Sequence, residues 1–369
     1  MELEEIMDYE RLQRSGIKCC RGGRWKASIQ SFEMTLARTT ARSRRRVINH
    51  TYIPGRTNDF EITERGKRRL IRAHLVQDRQ IFKSFCDYEL KPAIANYILD
   101  HNNASQVGKG TDRAIKQFRQ GLAKAYRKYG RDFYVVTYDY HNYFGTLDHD
   151  IIKRNIPVSE SSYYLLDAYV DIFERIDHTY AGIGIGGEPS QDISVAYCSK
   201  IHRAIAGDPH VIDAGWYMDD GYIITHTKDE ARNALTRVIA LSDKYHLQIN
   251  FKRTKINWME KDTVLWLKKR THLTPSGKII MKLVPGNIKD QIMRINEYKY
   301  MIDKGWMPQE PADISIMCWM TYSKPYNSNY QRLRVLRHYC NKFNIPWNTV
   351  RPLLRRSPKG WIESRRSNI

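Results

Sequence analysis

WYMDDGYIIT, residues 216–225, sets two adjacent aspartates between aromatic and β-branched residues. Trp216, Tyr217, Tyr222, Ile223 and Ile224 favour a pleated, half-buried surface, and Asp220-Gly221 is a two-residue turn signal because Gly accepts positive φ. The stretch therefore reads as a β-hairpin. A hairpin explains Asp220 and Gly221 but leaves Asp219 unaccounted for, since adjacent like charges repel. Two carboxylates on a rigid hairpin suit Mg²⁺, which takes hard oxygen ligands from one or two acids and from substrate phosphates. Such a site calls for a third acid from elsewhere in the chain.

RDFYVVTYDYHNYF, residues 131–144, supplies one: an apolar β run through Phe133, Val135, Val136 and Tyr138 ends at Asp139. A lone Asp at a strand end is usually a cap or turn residue. Beside a hairpin carrying Asp219 and Asp220 it becomes the third carboxylate of a two-metal site. Such a site lowers the pKa of an attacking hydroxyl and offsets charge on transferring phosphoryl oxygens.

The rest of the chain sets the context. Its formal net charge is +21 over 369 residues, and the charge is concentrated at the two ends. Residues 11–50 hold eleven Lys/Arg against Glu33 alone, and residues 321–369 hold eleven against Glu363 alone. Basic arms interleaved with Trp25, Tyr330, Trp347 and Trp361 suit a nucleic acid, through phosphate contacts and base stacking. No apolar run reaches membrane-spanning length, MELEEIMDYE is no signal peptide, and the six cysteines lack C-x-x-C spacing. A cytoplasmic protein with reduced thiols and no membrane partner is expected.

Along the chain, residues 11–50 read as basic helices broken at Gly22-Gly23. Two short strands flank the turn Glu64–Lys67, and a helix over 76–99 is bent or split by Pro92. GKGTDRAIKQFRQGLAKAYRKY is a Gly-rich loop and a helix with Thr111 as its N-cap. After 139 come a helix-biased stretch, a loop AGIGIGGEPSQ launching a helix at Ser190, the opening hairpin, the helix KDEARNALTRVIALSDKY and a strand LQINF. A second hairpin, VLWLKKRTHLTPSGKIIMKL, turns at Pro275–Gly277. Irregular alternation with antiparallel hairpins is an α+β pattern, not a doubly wound parallel sheet.

The ordered motifs over roughly residues 55–285 resemble those of reverse transcriptases, in particular the bacterial and phage types related to group II intron and diversity-generating retroelement enzymes. DYHNYFGTLDH from Asp139 resembles the family's palm segment, and Tyr217-Met218-Asp219-Asp220 is its Y-x-D-D. The resemblance implies an α+β right-hand polymerase: a basic N-terminal extension over 1–50, fingers over 51–130, a palm over 131–285 and a basic helical thumb over 286–369. It implies Mg²⁺, replaceable by Mn²⁺, on catalytic Asp139, Asp219 and Asp220. Phe144, beside Tyr140 in the nucleotide site, would exclude a 2′-hydroxyl. Gly66-Lys67-Arg68-Arg69 resembles the fingers G-K-x-R turn, so Lys67 and Arg69, with Arg72, would hold the triphosphate. Asp78-Arg79 resembles the D-R that begins the next fingers helix. Gly108, Lys109 and Gly110 resemble the template-side loop.

Ile185-Gly186 through Ser190-Gln191 has the I-G-x-x-x-S-Q form associated with diversity-generating retroelements, where most relatives read Q-G-x-x-x-S-P. Ser190 and Gln191 would line the nascent pair, and the form goes with low fidelity at template adenines. LQINFKRTK resembles L-x-L-N-x-x-K-T with Arg253 in the lysine position, and Lys252, Arg253 and Lys255 all stand as donors to the leaving pyrophosphate. VLWLKKR resembles the primer-grip hairpin, with Trp266 and Lys268 substituting. The partners implied are an RNA template, a DNA or RNA primer, dNTPs and an accessory protein, in a bacterial or phage-infected cell. Two alternatives remain: a phage-defence or domesticated enzyme primed from a non-coding RNA or a protein, and a catalytically inactive RNA-binding scaffold.

Overall fold

The computed structural model describes residues 2–350, apart from 65, 66 and 327. It is an α+β fold with three antiparallel sheets and many helices, in two compact units: Met1–Lys128 with Phe133–Ile256, and Tyr129–Asp132 with Asn257–Ile369.

The first unit begins with helices α1 (Leu3–Ile6), α2 (Tyr9–Cys20), α3 (Ala27–Met34) and α4 (Leu36–Ile48). Asp8 starts α2 by accepting the N–H groups of Glu10 and Arg11. The predicted break at Gly22-Gly23 separates α2 from α3, and Thr35 adds a second break. Strands β1 (Asn58–Glu64) and β2 (Lys67–Ala73) form a hairpin. Helix α5 (Val76–Phe85) runs through a π-helical turn, Cys86–Leu90, into α6 (Lys91–Ala95). Pro92 lacks an N–H, and the wider turn before it keeps the segment continuous instead of breaking it. Helix α7 (Thr111–Tyr129) begins at Thr111 itself, one residue earlier than an N-cap role for Thr111 requires.

The central sheet comes from β3 (Tyr134–Tyr138), then α8 (Tyr143–Thr146), α9 (His149–Asn155), α10 (Glu160–Asp177), α11 (Glu188–Tyr197), α12 (Ser199–Ala206), β4 (Val211–Tyr217), β5 (Asp220–Thr225), α13 (Lys228–Asp243) and β6 (Lys255–Trp258). Its strand order is β4-β5-β3-β6. A Thr227/Glu230 capping box starts α13, which packs with α12 against the sheet. LQINF is not the predicted strand: Ile249 makes a single bridge to Tyr140, and the edge strand is the segment after it.

In the second unit β7 (Val264–Trp266), β8 (Lys269–Leu273) and β9 (Ile279–Leu283) form a meander, followed by α14 (Pro285–Asp303), α15 (Glu310–Ser323), α16 (Asn329–Phe343) and α17 (Trp347–Val350). The turn at Pro275–Gly277 is present, with Gly277 N–H donating to the Thr274 carbonyl. An unpredicted tight turn at Leu267-Lys268 pairs Trp266 with Lys269, and both its residues take positive φ. Lys269 is buried with its ammonium 4.5 and 4.8 Å from the ring centroids of Tyr322 and Tyr326. No described helix is long and apolar enough to cross a membrane.

Candidate active site

Strands β4 and β5 are joined through Met218 and Asp219, with Tyr217 paired to Asp220. Met218 carries the left-handed turn conformation, φ 56°. This corrects the expectation that Asp220-Gly221 makes the turn. Gly221 lies inside β5, between Trp216 of β4 and Tyr138 of β3. Glycine is required there for close approach, since a Cβ would stand 2.4 Å from Tyr138 Cζ. The Tyr138 hydroxyl accepts the indole N–H of Trp216 at 2.7 Å, so one buried ring ties the hairpin to β3. That tie fixes where Asp219 stands relative to Asp139.

Asp139 directly follows β3 and is only 4% exposed. Its carbonyl accepts the N–H of Asn250 at 2.8 Å. The N–H groups of Arg253 and Thr254 fold back onto the Asn250 carbonyl, and the Arg253 guanidinium donates through Nη1 to Asp139 Oδ2 at 2.8 Å. Asp139 Oδ1 is buried and accepts no hydrogen bond. Burial, and then the charge and hydrogen-bonding reach of Asp139, push the Asp219 carboxyl up to about 6. The hydrogen bond to Asp139 holds Arg253 more firmly charged, and Asp220 and Asp219 add to that field.

Asp139 binds the Arg253 guanidinium and the charges of Asp220 and Asp219 also reach it, although one oxygen from each of the three acids does not come within 4.8 Å of the others. Hard oxygen donors, a buried Asp139 oxygen without a donor and an Asp219 carboxyl driven toward protonation are what a divalent cation satisfies. Asp139 and Asp219, within hydrogen-bonding reach of each other, could hold such a cation.

The other predicted residues fall into distinct places. Phe144 is half-buried in α8, edge-on to Tyr143, whose hydroxyl feels the charge of Asp219. Tyr140 is buried, and its hydroxyl meets Ser242 Oγ at 3.1 Å, so its ring belongs to the core. Ser190 is not an N-cap: α11 starts at Glu188 after Gly187, and the buried Ser190 Oγ meets the Tyr169 hydroxyl at 2.6 Å. Gln191 is exposed. Arg72 is buried against the Phe173 ring, and its N–H donates to the Ile185 carbonyl at 2.8 Å. Gly186, at φ 132°, permits this contact, because a Cβ would meet the Arg72 carbonyl oxygen at 2.7 Å.

Arg69 stays exposed on β2, opposite Ile62. Lys67 opens β2, but its side chain, like Gly66, lies outside the described residues. The Gly108–Gly110 loop is pinned by Lys109 Nζ, which donates to the carbonyls of Asp100 and Asn102 at 3.2 Å. The N–H of Asn103 donates to the Trp216 carbonyl, so this loop packs on β4 just before the aspartate tip. In the second unit Trp266 is buried in β7 and Lys268 is exposed at the tight turn.

A second acidic group was not foreseen. Cys86, Glu188 and Asp192 bring one ligand atom each within 4.8 Å, a set that could hold a metal ion. Asp192 is pushed up to about 6 by burial and Cys86 is pushed well above the usual thiol range by burial. Lysines already serve this group: Lys83 Nζ donates to Glu188 Oε1 at 2.7 Å, Lys91 Nζ binds the same oxygen and lies 3.9 Å from Asp192 Oδ2. Only the i,i+4 run Lys83, Asp87, Lys91 was visible locally.

No family model matches the chain, and no curated protein matches it. Among solved structures it is similar to apo telomerase from Candida tropicalis truncated from its C-terminal domain, at 12% identity and a TM-score of 0.41. The match covers 60% of this chain and 54% of that one, about half the telomerase chain's length.

Proposed function

We propose that the chain is an RNA-directed DNA polymerase, built as fingers (51–130), palm (131–285) and thumb (286–369) behind a basic N-terminal extension (1–50). The observation that carries this reading is the meeting of Asp139 and Asp219, eighty residues apart, beside Arg253, in a chain whose motifs follow reverse-transcriptase order. Two bound Mg²⁺ ions, or Mn²⁺ in their place, would activate the primer 3′-hydroxyl and offset charge on the phosphoryl oxygens and pyrophosphate.

The chain's own residues do the rest. Asp139 and Asp219, with Asp220 beside them, present carboxylates from a sheet edge locked by the Tyr138–Trp216 hydrogen bond. Phe144 bounds the sugar and discriminates against a 2′-hydroxyl, while Lys67 and Arg69 hold the triphosphate from the β1–β2 hairpin. Buried Ser190 braces the first turn of α11 through Tyr169, leaving the exposed Gln191 to face the nascent pair. Arg72 acts on that pair indirectly, by holding Ile185. Gly108, Lys109 and Gly110 shape the template side, and Trp266 and Lys268 belong to the primer side.

Within this class, Ile185 and Gln191 favour a diversity-generating retroelement enzyme that copies a dedicated RNA with an accessory protein. Purified protein with an RNA template, a DNA primer, dNTPs and Mg²⁺ should extend the primer, and Asp219→Asn should abolish extension. No extension by either protein would leave only an RNA-binding scaffold. Sequencing the copurifying nucleic acid should return one recurrent RNA; random cellular RNA would remove the dedicated template. Gln191→Pro should lower misincorporation opposite template adenines several-fold, since contacts at the pair set how strongly a mispair is rejected.

A further inference from the structure

Arg253 stands where the sequence placed a pyrophosphate-facing cation, yet its guanidinium is turned onto a carboxylate. Its backbone is fixed: Asn250 is tied to the Asp139 carbonyl, and Arg253 and Thr254 are tied to Asn250. Its side chain is 55% exposed, against 6% for Asp139. A rigid base with a solvated end lets the guanidinium leave Asp139 without moving the backbone. The carboxylate it holds by Oδ2 is the one whose Oδ1 is buried without a donor, and the fields of Asp219 and Asp220 converge on the same guanidinium. Its neighbours Lys252 and Lys255 are exposed.

We propose that Arg253 is a built-in counter-cation that holds the metal-binding aspartates in the metal-free protein and is displaced when divalent ions enter, its freed guanidinium then turning to the incoming triphosphate. This rests on the polymerase reading and adds an order of events to it. The arginine keeps Asp139 in place when no metal is present, and it competes with metal until a nucleotide offers its phosphates instead. Metal loading and nucleotide binding are thereby coupled through one side chain: each makes the other easier, by the same factor.

The test is Mn²⁺ titration of the full chain by electron paramagnetic resonance, without nucleotide, for wild type, Arg253→Gln, Arg253→Lys and Asp219→Asn. Removing a partly exposed competitor should tighten Mn²⁺ binding roughly three- to tenfold in Arg253→Gln. The gain should be smaller in Arg253→Lys, which keeps the charge but loses the planar fork. With Mn²⁺ bound, dNTP affinity should fall in Arg253→Gln. If Arg253 only props up Asp139, its removal weakens Mn²⁺ binding; equal or weaker binding in Arg253→Gln overturns the proposal. Should Arg253→Gln fail to melt cooperatively, Arg253→Lys decides, because Mn²⁺ binding no tighter than wild type there also overturns it. The two failures are distinguishable. If Asp219→Asn loses Mn²⁺ and primer extension while neither arginine variant tightens binding, the polymerase stands without the counter-cation. If Asp219→Asn matches wild type in both, the polymerase reading itself falls, and the counter-cation with it.

Discussion

Two of the acidic groups among the described residues treat their charge differently. At Glu188 and Asp192, lysines from α5 and α6 arrive with the fold, Lys83 and Lys91 sharing one Glu188 oxygen. At Asp139 and Asp219 the fold supplies one arginine, mostly exposed. Each group leaves a buried carboxylate oxygen without a hydrogen bond, Asp139 Oδ1 and Asp192 Oδ2, so that feature does not separate them. Burial pushes Asp192 and Asp219 up to about 6 alike, so a raised carboxyl does not separate the two. The source of compensation does. Acids answered by cations packed within the fold are held as structure, whereas acids answered only by a solvated arginine can exchange that cation for a ligand.

The largest expected effect separates the groups directly. Asp219→Asn should weaken Mn²⁺ binding by more than about 100-fold, the upper end of what losing an outer-sphere partner costs, while Glu188→Gln leaves it unchanged. If Glu188→Gln is the damaging change, the metal centre is the Cys86 group and the comparison is inverted. Next, Lys91→Met should cost about 1–3 kcal/mol in urea unfolding, between the values for exposed and fully buried pairs, because Lys83 still holds Glu188 but the buried Asp192 loses the ammonium beside it.

A smaller effect follows pH. The folded Asp219 carboxyl lies above its unfolded value of 3.8, so the metal-free fold binds more protons than the unfolded chain between that value and about 6. Its stabilising contribution is therefore complete below about pH 4 and is lost as pH rises through about 6. Asp219→Asn should gain on wild type across that window by on the order of 1–2 kcal/mol. Mn²⁺ should restore wild type at pH 7 but not at pH 5, where protons hold the site. Asp192→Asn should show the pH trend without the Mn²⁺ response. Smallest is Arg253→Gln in EDTA, whose ion pair, solvated at the arginine end, should be worth about 1 kcal/mol of stability or less, set against its larger effect on metal affinity.

Much of the Asp139–Asp219 group was legible because its meaning is carried by order along the chain. Asp139 ends an apolar β run, and Asp219-Asp220 sit between two others, so the antiparallel pairing of β3 with β5 brings them to one edge. What misled was the reason for a glycine. Gly221 looks like a turn residue, but its missing side chain makes room for Tyr138, and the left-handed position falls to Met218. The Leu267-Lys268 turn was illegible for the same reason, since neither residue advertises positive φ. LQINF looked like a strand by composition, yet Asn250 spends its N–H and its carbonyl on Asp139 and on the turn that presents Arg253. The Cys86 group had no local signature. Its members lie on α11 and on a π-helical turn more than a hundred residues away, and only tertiary packing joins them.

One contact reaches beyond energetics. The N–H of Arg72, at the base of the β1–β2 hairpin, donates to Ile185, and Ile71 bridges to the same residue. Two segments separated by more than a hundred positions therefore share a register. Neither can gain or lose a residue without displacing the other, and Gly186 leaves no room for a side chain to compensate. Their histories are consequently joined: lineages that rewrite the loop from Ile185 to Gln191 must inherit or rewrite the end of the hairpin with it, and the two should diverge as one unit.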